Sequence, residues 1–109
     1  TDTDGEMPFE GNLRSASLKA HIFAVTRRWL DPNGNGDPTD GVDGYRLDVA
    51  AEVPMGFWAE YRQVVRSVNP DAYLIGEIWW KKWPYELMDP RPFLQGDQFD
   101  AIMNYRWYR

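Results

Sequence analysis

The chain has 109 residues, 43% of them hydrophobic and 16% aromatic, enough apolar material for a core and too much for a disordered segment. A formal charge of −5 argues against nucleic acid, whose binding depends on basic side chains neutralising phosphates. No apolar run approaches the roughly 20 residues of a membrane helix, so no membrane partner is expected, and the absence of cysteine removes disulfides and thiolate metal sites.

Residues 1–14 are polar, contain Gly5, Pro8 and Gly11, and read as a loop; the start Thr1-Asp2-Thr3-Asp4-Gly5 does not resemble a signal peptide. Ser15 or Ser17 caps a helix over 15–31. Its apolar positions Leu18, Ile22, Val25, Trp29 and Leu30 recur at helical spacing and predict one packing face. Asp31-Pro32 ends it, and residues 32–43 form a loop dense in Asn, Gly, Pro and Asp.

Oxygen-bearing side chains occupy alternate positions there, Asp31, Asn33, Asn35 and Asp37, with Gly36 at the sixth place. This matches the first half of a calcium-binding loop. The twelfth place, usually a bidentate Glu, falls on Val42, so Asp40 or Asp43 would have to substitute; the alternative is a solvated loop without an ion.

Gly44-Tyr45-Arg46-Leu47-Asp48-Val49-Ala50 reads as a strand with Arg46 and Asp48 on one face and Tyr45, Leu47 and Val49 on the other. Val53-Pro54 then opens a helix with Phe57, Trp58, Tyr61, Val64, Val65 and Val68 on its apolar face, stopped by Asn69-Pro70. A second strand, Tyr73 to Trp79, carries Glu77 near its end. An aromatic, Pro-rich stretch over 79–92 is expected to be a functional loop with a turn of helix, and Phe99 to Tyr105 a third strand.

Strands alternating with helices define an α/β fold with parallel pairing. Asp48 and Glu77 lie 29 positions apart, close to the roughly 31 residues of one unit in a (β/α)₈ TIM barrel of about 250 residues. Three parallel strands cannot close a barrel and would leave sheet edges bare. The 44–109 region is therefore expected to be part of a larger barrel, or to self-associate through those edges.

Functional groups of such barrels stand at the C-terminal ends of strands. Carboxyls at matching height on adjacent strands, about 4.8 Å apart, fall near the roughly 5 to 5.5 Å of retaining glycosidases. Arg46 would keep Asp48 ionised as the nucleophile, while Ile78, Trp79 and Trp80 would hold the proton on Glu77 as the general acid and base. On these residues alone a second reading stands: a structural Arg46–Asp48 ion pair with Glu77 as an exposed strand end.

Gly44-Tyr45-Arg46-Leu47-Asp48-Val49-Ala50, Gly76-Glu77-Ile78-Trp79 and Gly96-Asp97-Gln98-Phe99-Asp100-Ala101-Ile102-Met103-Asn104-Tyr105 resemble successive motifs of the α-amylase family of glycoside hydrolases. The resemblance implies a partial barrel, strands four to six, from an enzyme cleaving α-glucosidic bonds in starch-like α-glucan oligosaccharides by double displacement. It assigns the nucleophile to Asp48, its support to Arg46 and the proton donor to Glu77. Where many relatives continue with Lys-His, this chain has Ala51-Glu52-Val53, which resembles the neopullulanase and cyclomaltodextrinase branch and implies that Glu52 shapes the acceptor side. Trp79 and Asn104 are the remaining expected substrate contacts.

The family's Asp-x-x-x-Asn-His and His-Asp segments, the latter with a third carboxylate, have no counterpart here, so the isolated chain is expected to be inactive. His21 is expected to be structural or exposed. A transglycosylase, a glucan isomerase and a non-catalytic calcium- or sugar-binding module are the competing readings.

Overall fold

The structure, a computed structural model, describes residues 12–105. Most of the loop expected over 1–14, and the end of the 44–109 region, lie outside the described residues. Helix α1 runs Ala16–Leu30, and Ser15, not Ser17, caps it by accepting the Leu18 N–H at 3.2 Å.

The buried side of α1 differs from the expected stripe. Thr26 and Leu30 are buried and Ile22 and Phe23 pack against the core, whereas Leu18, Val25 and Trp29 are exposed. Bonds draw the Thr26 side inward: Tyr45 donates its hydroxyl to the Thr26 carbonyl at 2.8 Å, and the Thr26 hydroxyl lies 3.1 Å from that of Tyr61. Ile22, Phe23 and Leu30 share that side with Thr26, whose polar partners are invisible to a count of apolar positions.

Strand β1, Gly44–Leu47, pairs in parallel with β2, Tyr73–Gly76, in register from Gly44 opposite Tyr73 to Leu47 opposite Gly76. Between them, helix α2, Met55–Val68, buries Phe57, Trp58, Tyr61 and Val65, and Asn69 closes it by donating its N–H to the Val65 carbonyl. Phe23 stacks on Phe57 at 5.6 Å between ring centres, and Trp58 meets Tyr61 at 5.5 Å and Phe99 at 5.3 Å. This aromatic cluster joins both helices to the sheet. Gly76 permits the approach of Phe99, whose ring would lie 2.8 Å from any Cβ added there.

The third strand is far shorter than expected: β5, Ala101–Ile102, pairs in parallel with β2, giving the order β1-β2-β5. Asp100 sets its place. The carboxylate accepts the Leu74 N–H at 2.8 Å, Arg62 at 3.1 Å and Arg66 at 3.0 Å, clamping α2 and β2 beside β5. Burial alone would raise its pKa, but the Leu74 N–H and the two guanidinium groups outweigh it and hold the pKa low.

The 79–92 stretch also departs from a loop with a turn of helix. It forms an antiparallel hairpin of β3, Trp80–Lys82, and β4, Glu86–Leu87, followed by a 3₁₀ turn at Arg91–Leu94. Strands of three and two residues are too short to carry a period that separates them from loop composition. Among the described residues no helix is long and apolar enough to cross a membrane.

Candidate active site

Both strands stop one residue before their carboxylate. Leu47 and Gly76 are the last paired residues, and the Glu77 N–H still donates to the Leu47 carbonyl at 3.0 Å. Asp48 and Glu77 therefore leave adjacent parallel strands at the same height. The motif read as a strand through Ala50 breaks at Asp48, where the chain turns into a short 3₁₀ helix, Ala50–Glu52. Trp58 anchors that turn by donating its indole N–H to the Ala50 carbonyl at 2.8 Å.

Arg46 joins the two acids. Its guanidinium lies 2.5 Å from Asp48 and 3.1 Å from Glu77, and its Nε reaches Met103 Sδ at 3.3 Å. One planar fork thus orients two carboxylates. Their surroundings differ: the Asp48 side chain is 72% exposed and that of Glu77 9%. Glu77 is not the exposed strand end that the structural alternative required.

The electrostatics of Glu77 run against expectation. The Val49 N–H, donated to its Oε2 at 2.8 Å, is the leading cause holding its pKa below the ordinary value. The Tyr105 hydroxyl, donated to Oε1 at 2.7 Å, comes next; burial opposes both, and the Asp48 side chain and the Arg46 charge add to the lowering. Apolar sequence neighbours do not retain the proton because these donors reach the carboxylate through space. Arg46 serves both acids, not Asp48 alone.

Val49 supplies its N–H from a left-handed backbone conformation, φ 42° and ψ 41°, which a β-branched residue rarely adopts. Neither Val49 nor Tyr105 was singled out from sequence. Tyr105 closes the last of the three motifs, which was its one available signal; the amide of Val49 had none.

Beside Glu77 lies a cleft of about 300 Å³. Trp79 and Asn104 line it, together with Leu87, Met88, Met103 and Tyr105, and Tyr105 links it to Glu77 through its hydroxyl; neither Glu77 nor Asp48 is among the cleft residues. Glu52 sits exposed on the 3₁₀ turn and is not among the cleft residues.

The candidate calcium positions lie in a separate loop. Backbone N–H groups of Gly36, Asn35, Asp37 and Thr39 donate to side-chain oxygens of Asp31, Asn33, Asn35 and Asp37 respectively, and Asn33 donates to Asp40 at 2.5 Å. Asp31 Oδ1 is buried and has no hydrogen-bond partner. Among the described residues no three His, Cys, Asp or Glu side chains converge as a metal cluster.

No protein-family model matches the chain, but individual relatives do. It is 52% identical over 106 residues to a cyclomaltodextrinase of Geobacillus thermopakistaniensis, covering 95% of this chain and 16% of that enzyme. It is 41% identical over 102 residues to neopullulanase 2 of Thermoactinomyces vulgaris, covering 92% of this chain and 15% of the enzyme. Among solved structures, the cyclic α-maltosyl-(1→6)-maltose hydrolase of Arthrobacter globiformis in complex with maltose superposes with a TM-score of 0.68 at 32% identity, over 88% of this chain and 18% of that one.

Strand-end carboxylates on a parallel sheet, together with these relatives, place the chain in the α-amylase family of glycoside hydrolases. Within it, the similar sequences include neopullulanases, cyclomaltodextrinases and maltogenic amylases. The chain spans about one-sixth of the length of the two enzymes compared.

Proposed function

We propose that this segment carries the nucleophile and the acid/base of an α-glucan hydrolase acting with retention. The observation that carries the reading is the matched emergence of Asp48 and Glu77 from β1 and β2 under one guanidinium. Asp48 attacks the anomeric carbon as Glu77 protonates the departing glycosidic oxygen. Glu77 then takes a proton from water, which displaces Asp48 and restores the starting configuration. The three strands would belong to a larger (β/α)₈ barrel, strands four to six, with the remaining machinery elsewhere in the parent enzyme, and the isolated chain would be inactive.

For the first step Glu77 must hold a proton that its donors disfavour. A sugar oxygen taking the place of the Tyr105 hydroxyl or Arg46 at Oε1 would remove one of them, and exclusion of water would work in the same direction. The substrate class rests on the relatives, one of which is solved with maltose, and on Trp79 and Asn104 lining the adjoining cleft. In this reading Glu52 approaches the acceptor sugar.

Following release of a chromogenic α-maltoside by the parent enzyme and by Asp48→Asn and Glu77→Gln variants tests the assignment. Each change should cost at least about 100-fold in kcat; a variant with near-normal turnover would remove its residue from the mechanism. An initial β-configured product would refute double displacement, and longer glucans as the main product from maltoheptaose would favour transglycosylation.

We also propose that Asp31, Asn33, Asn35 and Asp37 can hold calcium. The unpartnered Asp31 Oδ1 supports this, since carboxylate and amide oxygens suit this hard ion and an oxygen accepting one N–H retains a second lone pair. Calorimetric titration with calcium, and melting with and without chelator, would refute it by showing neither heat nor a shift.

A further inference from the structure

The β3–β4 hairpin ends in Trp83-Pro84-Tyr85, with Trp83 71% and Tyr85 75% exposed. A tight turn selects small or polar residues and Pro, so the turn explains Pro84 but neither aromatic ring. The core does not explain them, because neither joins the buried cluster. Yet Trp83 is held: it meets Trp80 edge-on at 4.8 Å between ring centres, which limits its rotation without covering it.

The hairpin is also fixed beside the reacting groups. Trp79, two residues after Glu77, accepts the Met88 N–H at 2.8 Å at the base, and the Tyr85 N–H donates to the Lys82 carbonyl at 2.8 Å at the turn. Leu87 and Met88 form part of the cleft wall. Tyr85 is two residues from Leu87, about 7 Å at full strand extension. The tip thus continues the cleft wall formed by Leu87 and Met88.

We propose that Trp83 and Tyr85 form an aromatic platform that holds an α-glucan chain as it leaves the cleft beside Glu77. The inference rests on the glucan reading above and extends it to long substrates. Flat apolar sugar faces stack on aromatic rings, while Lys81, Lys82 and Glu86, all exposed around the tip, offer hydrogen-bonding groups to sugar hydroxyls. Short glucosides that end within the cleft make no use of this platform.

In the parent enzyme, the Trp83→Ala/Tyr85→Ala variant should raise KM for maltoheptaose about tenfold, the combined effect of two stacking contacts. It should leave kcat/KM for a chromogenic α-maltoside within about twofold, and Trp83→Tyr should recover much of the loss. Equal losses on both substrates would make the hairpin a support for the cleft and overturn the proposal, as would an unchanged KM for maltoheptaose. A change in oligomeric state by size exclusion would assign the tip to contact between copies, also overturning it.

Binding separates this inference from the hydrolase reading. Maltoheptaose titrated calorimetrically into a Glu77→Gln background should bind about tenfold more weakly when both rings are removed. If the wild-type enzyme hydrolyses no glucan but this binding difference persists, the hydrolase reading fails and the platform stands. Turnover without the difference leaves the enzyme and removes the platform.

Discussion

Tyr105→Phe isolates one hydrogen bond to Glu77, the proposed acid. The hydroxyl donates to Glu77 Oε1 at 2.7 Å, whereas the Val49 N–H serves Oε2 and Arg46 also approaches Oε1 at 3.1 Å. A bond to a charged acceptor contributes about 1.5–3 kcal/mol. Arg46 partly compensates, so a net loss of about 1–2 kcal/mol in positioning is expected, or about 5- to 30-fold in kcat/KM.

The pH profile distinguishes this role from general support. Tyr105 lowers the Glu77 pKa, so its removal raises that pKa, keeps the acid protonated to higher pH and moves the alkaline limb of kcat/KM upward. Stability changes in the corresponding sense: a depressed folded-state pKa stabilises above the unfolded pKa and loses that contribution as pH falls through the folded one. The variant should therefore lose more stability at neutral than at low pH. Profiles measured with a chromogenic α-maltoside would refute the reasoning if the alkaline limb stayed fixed or moved down.

Arg46→Lys retains charge but loses the planar fork spanning Asp48 and Glu77. It should reduce kcat/KM by about 10- to 100-fold, the equivalent of losing one charged hydrogen bond; parity with wild type in the same assay would show that the fork is dispensable. Asp100→Ala leaves Arg62, Arg66 and the Leu74 N–H without their shared acceptor. Allowing for the partial exposure of Arg66, about 2–4 kcal/mol should be lost at neutral pH, as read by urea unfolding with tryptophan fluorescence. Because the Asp100 pKa is lowered, the gap should narrow as pH falls below about 4; a constant gap would contradict that linkage.

The strongest signals in the sequence were those with a repeated physical basis. Helical spacing marked α2 through Phe57, Trp58, Tyr61 and Val65, and the interval from Asp48 to Glu77 anticipated two parallel strands delivering carboxylates at one level. Contacts between distant residues were illegible. Thr26 faces inward through Tyr45 and Tyr61, although Val25 and Trp29 are more apolar. Likewise, Ile78 and Trp79 suggested a retained proton on Glu77, but an amide and a phenol from elsewhere reverse the expected effect. Neither donor declares its target in a linear pattern.

Val49 explains why the strand motif had to break where it did. Continued extension would keep its N–H in the strand's hydrogen-bonding direction; the left-handed turn instead aims it at Glu77 Oε2. Such a conformation costs of order 1–3 kcal/mol, comparable with the charged hydrogen bond that it forms. The buried bond from Trp58 to the Ala50 carbonyl holds the following turn against α2. The aromatic core is thereby connected to the acid through one short backbone segment, and the residue after Asp48 orients Glu77 through its backbone. A strand end that appeared to supply one carboxylate also organises the second.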